Sequence, residues 1–401
     1  MKSVFLKDIC EVFGDGDWIE SKDQSDSGIR LIQTGNVGVG VFKDRIEKAR
    51  WISEETFKKL RCTQILEGDV LVSRLPDPVG RACLIPALEL KAITAVDCSI
   101  LRFDKNKINS KYFIYYSQSS EYSKAIEPLI SGATRQRISR EKLGTIQIPL
   151  PSLDEQRKIV EILDKAFAEI DLLNNRQKES TKFVSTMLQS YVDDLLLRDQ
   201  DESVPLTNLA ILENGDRGSN YPNKNMREDT GVPFINAGHI GEGKLDMSQM
   251  DYISKDTFDK LSRGKIQRND LLFCLRGSLG KTAILSDLDE GAIASSLVIV
   301  RAKDGVNPKF LLYYFLSSIC KSEIEEYRSG TAQPNLGGSD LKKFSVPLHS
   351  QTRMEEIVTK VDEVASQIET LTQNSNLRNI ALAELKQSIL NSVFTFEEAV
   401  A

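Results

Sequence analysis

The sequence contains few of the residues that most often carry catalysis or bind metals. It has two histidines in 401 residues, and its six cysteines are scattered without a C-x-x-C pair. We therefore expect no metal site and no serine–histidine–aspartate triad, while dispersed free cysteines are typical of a reducing, cytoplasmic compartment. No run approaches 18 apolar residues, and the first residues lack a signal-peptide pattern. The sequence thus predicts no membrane partner and no secretion signal.

Charge is unevenly distributed along the chain, although the net charge is only −6. Residues 1–150 carry 23 basic and 20 acidic side chains, and residues 204–347 carry 18 of each. Residues 151–203 carry 7 basic and 12 acidic side chains, and residues 348–401 carry 4 and 8. The acidity is thus confined to two segments, and the other two remain able to bind a polyanion through local basic patches.

The two halves of the chain repeat each other in order and spacing. "GIRLIQTGNVG" (28–38) aligns with "GVPFINAGHIG" (231–241), and "ILEGDVLVSR" (65–74) aligns with "IQRNDLLFCL" (266–275). The offset stays between 198 and 203 residues throughout, which indicates an internal duplication.

Each half begins with a segment of short, turn-bounded apolar runs. "DVLVSR", "SILRF", "TIQIPL" and "SLVIVRA" have the composition of strands, whereas "SEETFKKL" and "KYFIYYSQSSEY" have helical spacing. This mixture predicts an α+β domain with a mostly antiparallel sheet. "GSLGKTAIL" lacks the first glycine of a phosphate-binding loop, so a turn between strands is expected there.

A long helix is predicted after each globular segment. Beyond "IPLPSLDEQRKIVEIL" and "VPLHSQTRMEEIVTKV", apolar residues recur in alternating steps of three and four, the pattern of a coiled-coil seam. We expect the two helices to pair in antiparallel, with polar layers at Gln177 and Ser375 facing each other; the alternative is that each helix packs on its own domain. The predicted seam residues are Ile159, Leu163, Ile170, Leu173, Val184, Ile357, Val361, Ile368, Leu371, Leu382 and Leu385.

These patterns divide the chain into four predicted parts. Two globular domains are expected at 1–151 and 199–348, and two long helices at 152–198 and 349–396. Nothing in the sequence predicts a cofactor site or catalytic residues, so we turn to binding chemistry.

Loops at equivalent positions of both halves are rich in Arg, Lys, Asn and Gln. Such side chains suit base edges and phosphates, although each one alone is as well explained as a solvated loop residue. Because the loops differ while the surrounding segments agree, we expect two domains of one design with different targets. The candidate DNA-binding residues are Thr34, Asn36, Arg74, Arg81, Arg135, Gln136, Arg137, Arg217, Asn220, Tyr221, Lys224, Asn236, His239, Arg276, Lys281, Gln333 and Asn335, with Arg140 and Lys342 in the same loops.

The two helix junctions carry a resemblance to a known family. "SGATRQRISREKLGTIQIPLPSLDEQRKIVEILD", repeated in part as "VPLHSQTRMEEIVTKVD", resembles the specificity subunits of type I restriction–modification systems, over the whole chain. The first junction matches the family's I-P-L-P-x-x-x-E-Q pattern at Glu155 and Gln156. The second departs from it at His349, Arg353 and Met354.

The resemblance implies two tandem target-recognition domains separated by two long helices that form an antiparallel coiled coil. Each domain would recognise half of a bipartite site in double-stranded DNA. Such a subunit is not an enzyme and holds no cofactor. It recruits two methyltransferase subunits, which bind S-adenosylmethionine, and, in the full complex, ATP-dependent restriction subunits. The alternative is a non-enzymatic coiled-coil adaptor whose repeated globular domains bind protein partners.

Overall fold

A computed structural model describes residues 3–200, 202–218, 220–241, 243–330 and 334–394. The chain forms two compact units. The first unit runs up to Arg176 and resumes at Asn376, and the second runs from Gln177 to Ser375. This division falls inside both long helices because each end of each helix joins the core of a globular domain. The predicted four-part division into domains and helices stays a prediction.

The first unit contains nine strands, four short helices and portions of both long helices. Its strands are β1 (Ser3–Phe5), β2 (Cys10–Asp15), β3 (Ile29–Ile32), β4 (Arg50–Ile52), β5 (Val70–Ser73), β6 (Ala82–Leu84), β7 (Ala92–Thr94), β8 (Cys98–Phe103) and β9 (Gln147–Pro149). Its helices are α1 (Glu54–Leu60), α2 (Ser110–Tyr116), α3 (Ser120–Ile126), α4 (Arg140–Gly144) and the beginning of α5 (Leu153–Leu197).

The described strands of the first unit form three small sheets. The sequence predicts a single, mostly antiparallel sheet. The order β2-β8-β5-β6 is antiparallel, β4-β3-β7 contains a parallel β3–β7 pair, and β1 pairs with β9. Successive strand residues point to opposite faces of a sheet, so one strand can contribute to two cores. On β5, Leu71 packs against a core shared with Ile32 of β3, while Val70 and Val72 belong to the core below α2.

The second unit repeats this plan. Two four-stranded sheets have the orders β11-β18-β15-β16 and β12-β14-β13-β17, and β10 pairs with β19. The strands are β10 (Ser203–Pro205), β11 (Ala210–Asn214), β12 (Arg227–Glu228), β13 (Val232–Ile235), β14 (Asp251–Ile253), β15 (Leu271–Cys274), β16 (Thr282–Ile284), β17 (Ala292–Ile293), β18 (Leu297–Ala302) and β19 (Ser345–Pro347). The helices are α6 (Leu206–Leu209), α7 (Lys255–Lys260), α8 (Pro308–Leu316), α9 (Ser318–Tyr327), α10 (Gly338–Leu341) and α11 (Gln351–Phe394).

The segment "KYFIYYSQSSEY", predicted as one helix, forms the two helices α2 and α3. The break occurs because Ser119 adopts an extended backbone and its hydroxyl accepts a hydrogen bond from the Tyr122 N–H at 3.3 Å. A serine in this position is a preferred N-cap and starts a new helix. Tyr112 and Phe113 on α2 are fully buried against the four-stranded sheet.

Each long helix packs on the globular domain that precedes it. In the first unit, Leu163 and Ile170 lie in the core, and Asp164 accepts hydrogen bonds from the Tyr115 hydroxyl at 2.5 Å and the Lys111 ammonium at 2.9 Å. In the second unit, Asp362 accepts the corresponding bonds from Tyr313 and Lys309. The predicted alternative, a helix packed on its own domain, is thus part of the observed arrangement.

Each long helix also packs against the other, in antiparallel. In the second unit, the Gln177 amide donates to the Ser375 carbonyl at 2.5 Å, while at the other end His349 Nε2 donates to the Leu196 carbonyl at 2.9 Å. In the first unit, the Lys386 ammonium lies 4.4 Å from the centre of the Phe167 ring. The polar layer predicted at Gln177 and Ser375 is therefore a direct contact, and the fold is the predicted pair of α+β domains with an antiparallel coiled coil.

Burial varies along the predicted seam. Leu173, Leu371 and Leu385 are 48, 58 and 49% exposed, which differs from the prediction for seam residues. The apolar stripe is covered mainly where a globular domain adds its own core. Leu173 and Leu371 lie beyond those stretches, whereas Leu385 lies between Leu382 and Ile389, which pack on the core of the first unit. Leu163, Ile170, Ile357 and Val361 are buried, and Ile159, Val184, Ile368 and Leu382 are half-buried.

Candidate nucleic-acid interface

Several loops of the first unit start from one edge of its four-stranded sheet. Strand β2 ends at Asp15, β5 ends at Ser73 and β8 begins at Cys98. The strand register pairs Asp15 with Ser99 and Ser73 with Cys98, so these three points are neighbours in space. The segments that follow or precede them therefore lie together, although they are far apart in sequence. We call this edge the loop edge of the first unit.

Arginines gather around a carboxylate at the loop edge of the first unit. The Arg74 and Arg140 Nε atoms lie 3.5 and 3.8 Å from the Asp15 carboxylate, and Arg74 Nη2 donates to the Val96 carbonyl at 2.5 Å. Arg135 lies 3.7 Å from Asp97, yet its side chain remains 72% exposed.

The loop of residues 131–137 is exposed along its whole length, including Gln136 and Arg137. Backbone hydrogen bonds between Ser131 and Arg137, 2.9 Å in both directions, close this loop. Arg135, Gln136 and Arg137 are therefore the candidate residues of the first unit that the structure leaves accessible to a ligand.

The Arg81 side chain, predicted to contact DNA, donates hydrogen bonds to backbone carbonyls of its own unit. Its Nε donates to the Val37 carbonyl at 2.7 Å and its Nη2 to the Thr34 carbonyl at 2.9 Å. Its Nη1 lies within hydrogen-bonding distance of three carbonyls in the segment 75–78. Burial lowers the pKa of this guanidinium. Because these donors satisfy backbone carbonyls, Arg81 fixes two loops to each other, and half-buried Thr34 contributes its carbonyl to that contact.

Three further candidates, the buried Asn36 and His239 and the half-buried Asn236, form hydrogen bonds within their own turns. Asn36 accepts from the Gln33 N–H and donates to the Lys43 carbonyl, both at 2.9 Å. In the second unit, Asn236 accepts from the Gly238 N–H at 2.7 Å, and the buried His239 accepts from the Asn236 N–H through Nδ1 at 3.1 Å. These side chains close turns within their own unit, and their role as base contacts stays a prediction.

The loop edge of the second unit brings three other candidates together. Asn214 at the end of β11 pairs with Val298, and the segment after β15 carries Arg276. Arg217, Arg276 and Asn335 line one cavity of about 360 Å³. Arg276 Nε donates to Asn335 Oδ1 at 3.0 Å, and Arg217 Nη2 donates to the Ser295 carbonyl at 3.1 Å.

The remaining candidates of the second unit lie outside that cavity. Asn220 donates to the Lys260 carbonyl at 3.0 Å, and the half-buried Tyr221 packs its ring 5.9 Å from that of Phe234. Lys224 and Lys281 are exposed. Gln333 lies outside the described residues.

Comparison with known proteins agrees with this architecture. The family model for the type I restriction modification DNA specificity domain matches residues 1–181 and 202–379. The chain belongs to this specificity family. The EcoBI and EcoKI type I restriction enzyme specificity subunits of Escherichia coli are 24% and 26% identical to it, over 79% and 75% of this chain and 70% and 68% of their own.

Solved structures of the specificity family have the same fold. A chain from a structure of type I restriction–modification complex assembly and conformational transition matches with a TM-score of 0.72, at 16% identity, over 98% of this chain and 97% of that chain. The HsdS subunit from Thermoanaerobacter tengcongensis matches with a TM-score of 0.51, at 17% identity, over 98% and 96%.

Two residues at the loop edges of this specificity-family chain escaped the sequence analysis. Trp18 is 70% exposed and follows β2 at the position that Arg217 occupies after β11. Asn214 lines the cavity of the second unit at the position equivalent to Asp15. Aligning "FGDGDW" with "LENGDR" would have found both, because the strand ends mark the register of the two repeats.

Equivalent aspartates at the two loop edges have opposite pKa shifts. Burial raises the pKa of Asp17 to about 6, and the Thr63 N–H, 3.1 Å away, only partly offsets it. Hydrogen bonds from the Gly218 and Ser262 N–H groups lower the pKa of Asp216 to about 2. Donors to the charged form stabilise it, whereas loss of water destabilises it. The repeats thus share a carboxylate but not its electrostatic surroundings.

The described residues contain no group of three or more His, Cys, Asp or Glu side chains that could hold a metal ion. Over those same residues, no helix combines the length and hydropathy that a membrane crossing requires.

Proposed function

We propose that this chain is the DNA-reading subunit of a type I restriction–modification complex, in which each loop edge recognises one half of a bipartite site in double-stranded DNA. The observation that supports this most directly is the contrast between the repeats. Both use the same strand ends to present loops, yet one presents Arg135, Gln136 and Arg137, and the other presents Arg217, Arg276 and Asn335. Two similar scaffolds with different polar loops suit DNA contacts that differ between the two half-sites.

The chemistry of these loops favours DNA over a protein ligand. Exposed arginines present a planar fork of donors that matches both phosphate oxygens and the guanine edge. The globular segments carry equal or excess basic charge, whereas the long-helix segments are acidic and would be repelled by phosphates. The long helices are therefore proposed as a spacer and a surface for protein partners.

The proposed partners of the long helices are two methyltransferase subunits, which bring S-adenosylmethionine, and, in the full complex, ATP-dependent restriction subunits. In the first unit, Leu172, Leu377 and Ile380 are exposed on these helices, and in the second unit Phe183 and Met187 are exposed. These exposed apolar side chains are available for contacts with the proposed partners. In this proposal catalysis belongs to the partners, and this chain supplies none.

The proposal is tested by the methylation motif of cells that express the chain with its partner methyltransferase. Changing Arg135 and Arg137 to Ala should relax or weaken one half of the motif and leave the other half unchanged. A lost base contact should cost about 1–3 kcal/mol at one position. Lys105→Ala is the matched control, because Lys105 is exposed beyond the opposite end of β8. An altered motif in both halves, or no motif at all in the unsubstituted complex, would refute the proposal.

The spacer role is tested separately by lengthening the long helices. Inserting four residues, roughly one turn, into both helices near Gln177 and Ser375 adds about 6 Å. The two half-sites should stay the same, and the gap between them should grow by one or two base pairs, since a base pair rises about 3.4 Å. A changed base with an unchanged gap would contradict the spacer role. Partner binding by the unaltered chain without any DNA binding would favour the adaptor alternative.

A further inference from the structure

The cavity at the loop edge of the second unit combines several cations with no acidic side chain. Its volume is about 360 Å³, and none of the described residues that line it is Asp or Glu. Arg217, Arg276 and Lys342 contribute positive charge, and Asn214, Asn335 and Ser339 contribute neutral polar groups. Three like charges around one concave space repel each other unless an anion lies between them.

Arg276 is oriented within this cavity by two contacts to one partner. Its Nε donates to Asn335 Oδ1 at 3.0 Å, and the backbones of the two residues form a β-bridge. The Nε contact fixes the plane of the guanidinium, because all three nitrogens are coplanar. An arginine held in this way loses less conformational freedom when its terminal nitrogens bind a ligand.

At the equivalent place in the first unit, a carboxylate of the protein itself compensates the positive charge of the arginines. Asp15, the last residue of β2, corresponds to Asn214, the last residue of β11. Asp15 lies 3.5 and 3.8 Å from the Nε atoms of Arg74 and Arg140. In the second unit, Leu275 replaces Arg74 and Gly338 replaces Arg140; the position a Cβ of Gly338 would take is 3.4 Å from Asn214 Oδ1. One unit therefore holds a carboxylate between two arginines, and the other holds an amide in a cavity whose cations, Arg217, Arg276 and Lys342, come from other positions.

We propose that the cavity of the second unit binds a phosphate group of the DNA backbone. This phosphate would supply the negative charge that the Asp15 carboxylate supplies in the first unit. This inference rests on the proposed function, since it assumes that the loop edge faces DNA. A phosphate suits the site better than a base edge does, because a neutral base would leave the three cations uncompensated. Arginine also binds phosphate oxygens through two parallel hydrogen bonds. The two units thus contribute unequally to DNA affinity, and the second unit contributes more of the salt-dependent part.

The decisive variant is Asn214→Asp, which changes one atom and supplies an internal carboxylate as in the first unit. With the full chain and its partner methyltransferase, DNA affinity should fall about ten- to a hundredfold. The slope of log affinity against log salt should flatten by about 0.9, as expected when one phosphate contact is lost. The methylated sequence should not change. Arg276→Ala and Lys342→Ala should flatten the slope in the same direction.

Asp15→Asn in the first unit is the matched control, because it is the same exchange in reverse. It removes the internal partner of Arg74 and Arg140, so DNA affinity should stay the same or rise. Thermal unfolding of each variant, compared with the unsubstituted chain, separates loss of binding from loss of folding. At equal ionic strength, inorganic phosphate should weaken DNA binding of the unsubstituted chain more than chloride does, and this difference should shrink in Asn214→Asp.

Three results would overturn the inference. The first is an Asn214→Asp variant that alters a recognised base without changing the salt slope, which indicates base reading. The second is a folded Asn214→Asp variant with unchanged affinity and slope. The third is tight binding of inorganic phosphate in the cavity with no effect of Asn214→Asp on DNA affinity. Failure of the unsubstituted complex to bind DNA would instead refute the proposed function, so the two failures remain distinguishable.

Discussion

The two units share their internal contacts almost residue for residue and differ at their loop edges. In the first unit the buried Asp69 accepts two hydrogen bonds from Arg102, both at 2.8 Å. In the second unit the buried Asp270 accepts two from Arg301, at 2.8 and 2.7 Å. Contacts that hold strands and helices together have thus stayed alike in both repeats, whereas loop residues have diverged.

This contrast separates the residues that hold the fold together from those that are free to differ between the repeats. A buried ion pair that loses one partner leaves an uncompensated charge, so such pairs cannot change singly. A loop-edge residue such as Trp18 or Arg217 is exposed and can change without that cost. The positions that differ between the repeats are therefore exposed positions that can change with little loss of stability.

The largest effect is expected where a long helix completes the core of the first unit. Phe394 is fully buried, and its ring lies 5.5 Å from those of Tyr112 and Tyr116. Phe394→Ala should lower the free energy of unfolding of the first unit by about 3–5 kcal/mol. Leu196→Ala, the equivalent change in the second unit, should cost about 2–5 kcal/mol there. Hydrogen exchange measured by mass spectrometry reports both units; equal loss of protection in both from either change would contradict the division.

A second effect tests whether the shared ion pairs are equivalent. Asp69→Asn and Asp270→Asn should each lower the free energy of unfolding by about 3 kcal/mol, the low end for breaking a buried pair, because each arginine is partly exposed. Chemical denaturation of the two variants should give similar losses. Glu161→Gln, which breaks an exposed pair with Lys165, is the control and should leave the free energy of unfolding nearly unchanged. Clearly different losses of unfolding free energy for Asp69→Asn and Asp270→Asn would show that the two ion pairs are not equivalent.

A third effect separates the units by pH. Asp17 has a raised pKa of about 6, so its contribution to stability is full below about pH 4 and is lost as the pH rises towards 6. Asp216 has a pKa lowered to about 2, so its contribution is present above about pH 4 and is lost as the pH falls towards 2. The unsubstituted chain should therefore lose about 1–2 kcal/mol of stability between pH 4 and 6, a modest amount because Asp17 is half-exposed. Asp17→Asn should abolish this loss.

Asp216→Asn is the counterpart and should remove a gain in stability between pH 2 and 4. Unfolding curves of the two variants across this pH range would measure both effects. The same direction of change in both variants would mean that the two aspartates have similar surroundings in solution.

The smallest effect compares the contacts at the far ends of the long helices. The Asp193 carboxylate accepts from the Ser318 N–H at 2.9 Å and hydroxyl at 2.6 Å. The neutral Asn391 side chain, 198 residues later, accepts from the Ser120 N–H at 3.1 Å and from the Gln387 side-chain amide at 3.0 Å. Asp193→Ala should cost about 1 kcal/mol and Asn391→Ala about 0.5 kcal/mol. The midpoints of thermal unfolding would resolve this order, and the reverse order would contradict the assigned contacts.

The repeat, the strands and the long helices were predictable from sequence because they depend on local periodicity. Helix α5 was expected from an apolar pattern and begins at Leu153, as its junction indicates. The pattern showed that one face of this helix is buried but not what covers it. Leu163 is buried by its own domain's core, and Leu173, on the same stripe, is half exposed.

Roles at the loop edges were less predictable, because they depend on which loops meet. Arg81 and Arg135 have the same chemistry in the sequence, but one satisfies backbone carbonyls and the other is exposed. The same holds for Asn36, whose amide closes a turn. The convergence of Arg217, Arg276 and Asn335 on one cavity required the strand register, which joins segments about 60 and 120 residues apart.

The division of the chain into units has a consequence for its synthesis on the ribosome. The second unit is one continuous stretch, so all of its residues have been made once Ser375 has been added. The first unit lacks Leu390 and Phe394 until nearly the whole polypeptide exists, and the aromatic surface of Tyr112 and Tyr116 stays open to water until then. The domain that is translated first is therefore the last to complete its folding, and a nascent chain stalled after Ser375 would expose an apolar patch suited to chaperone binding.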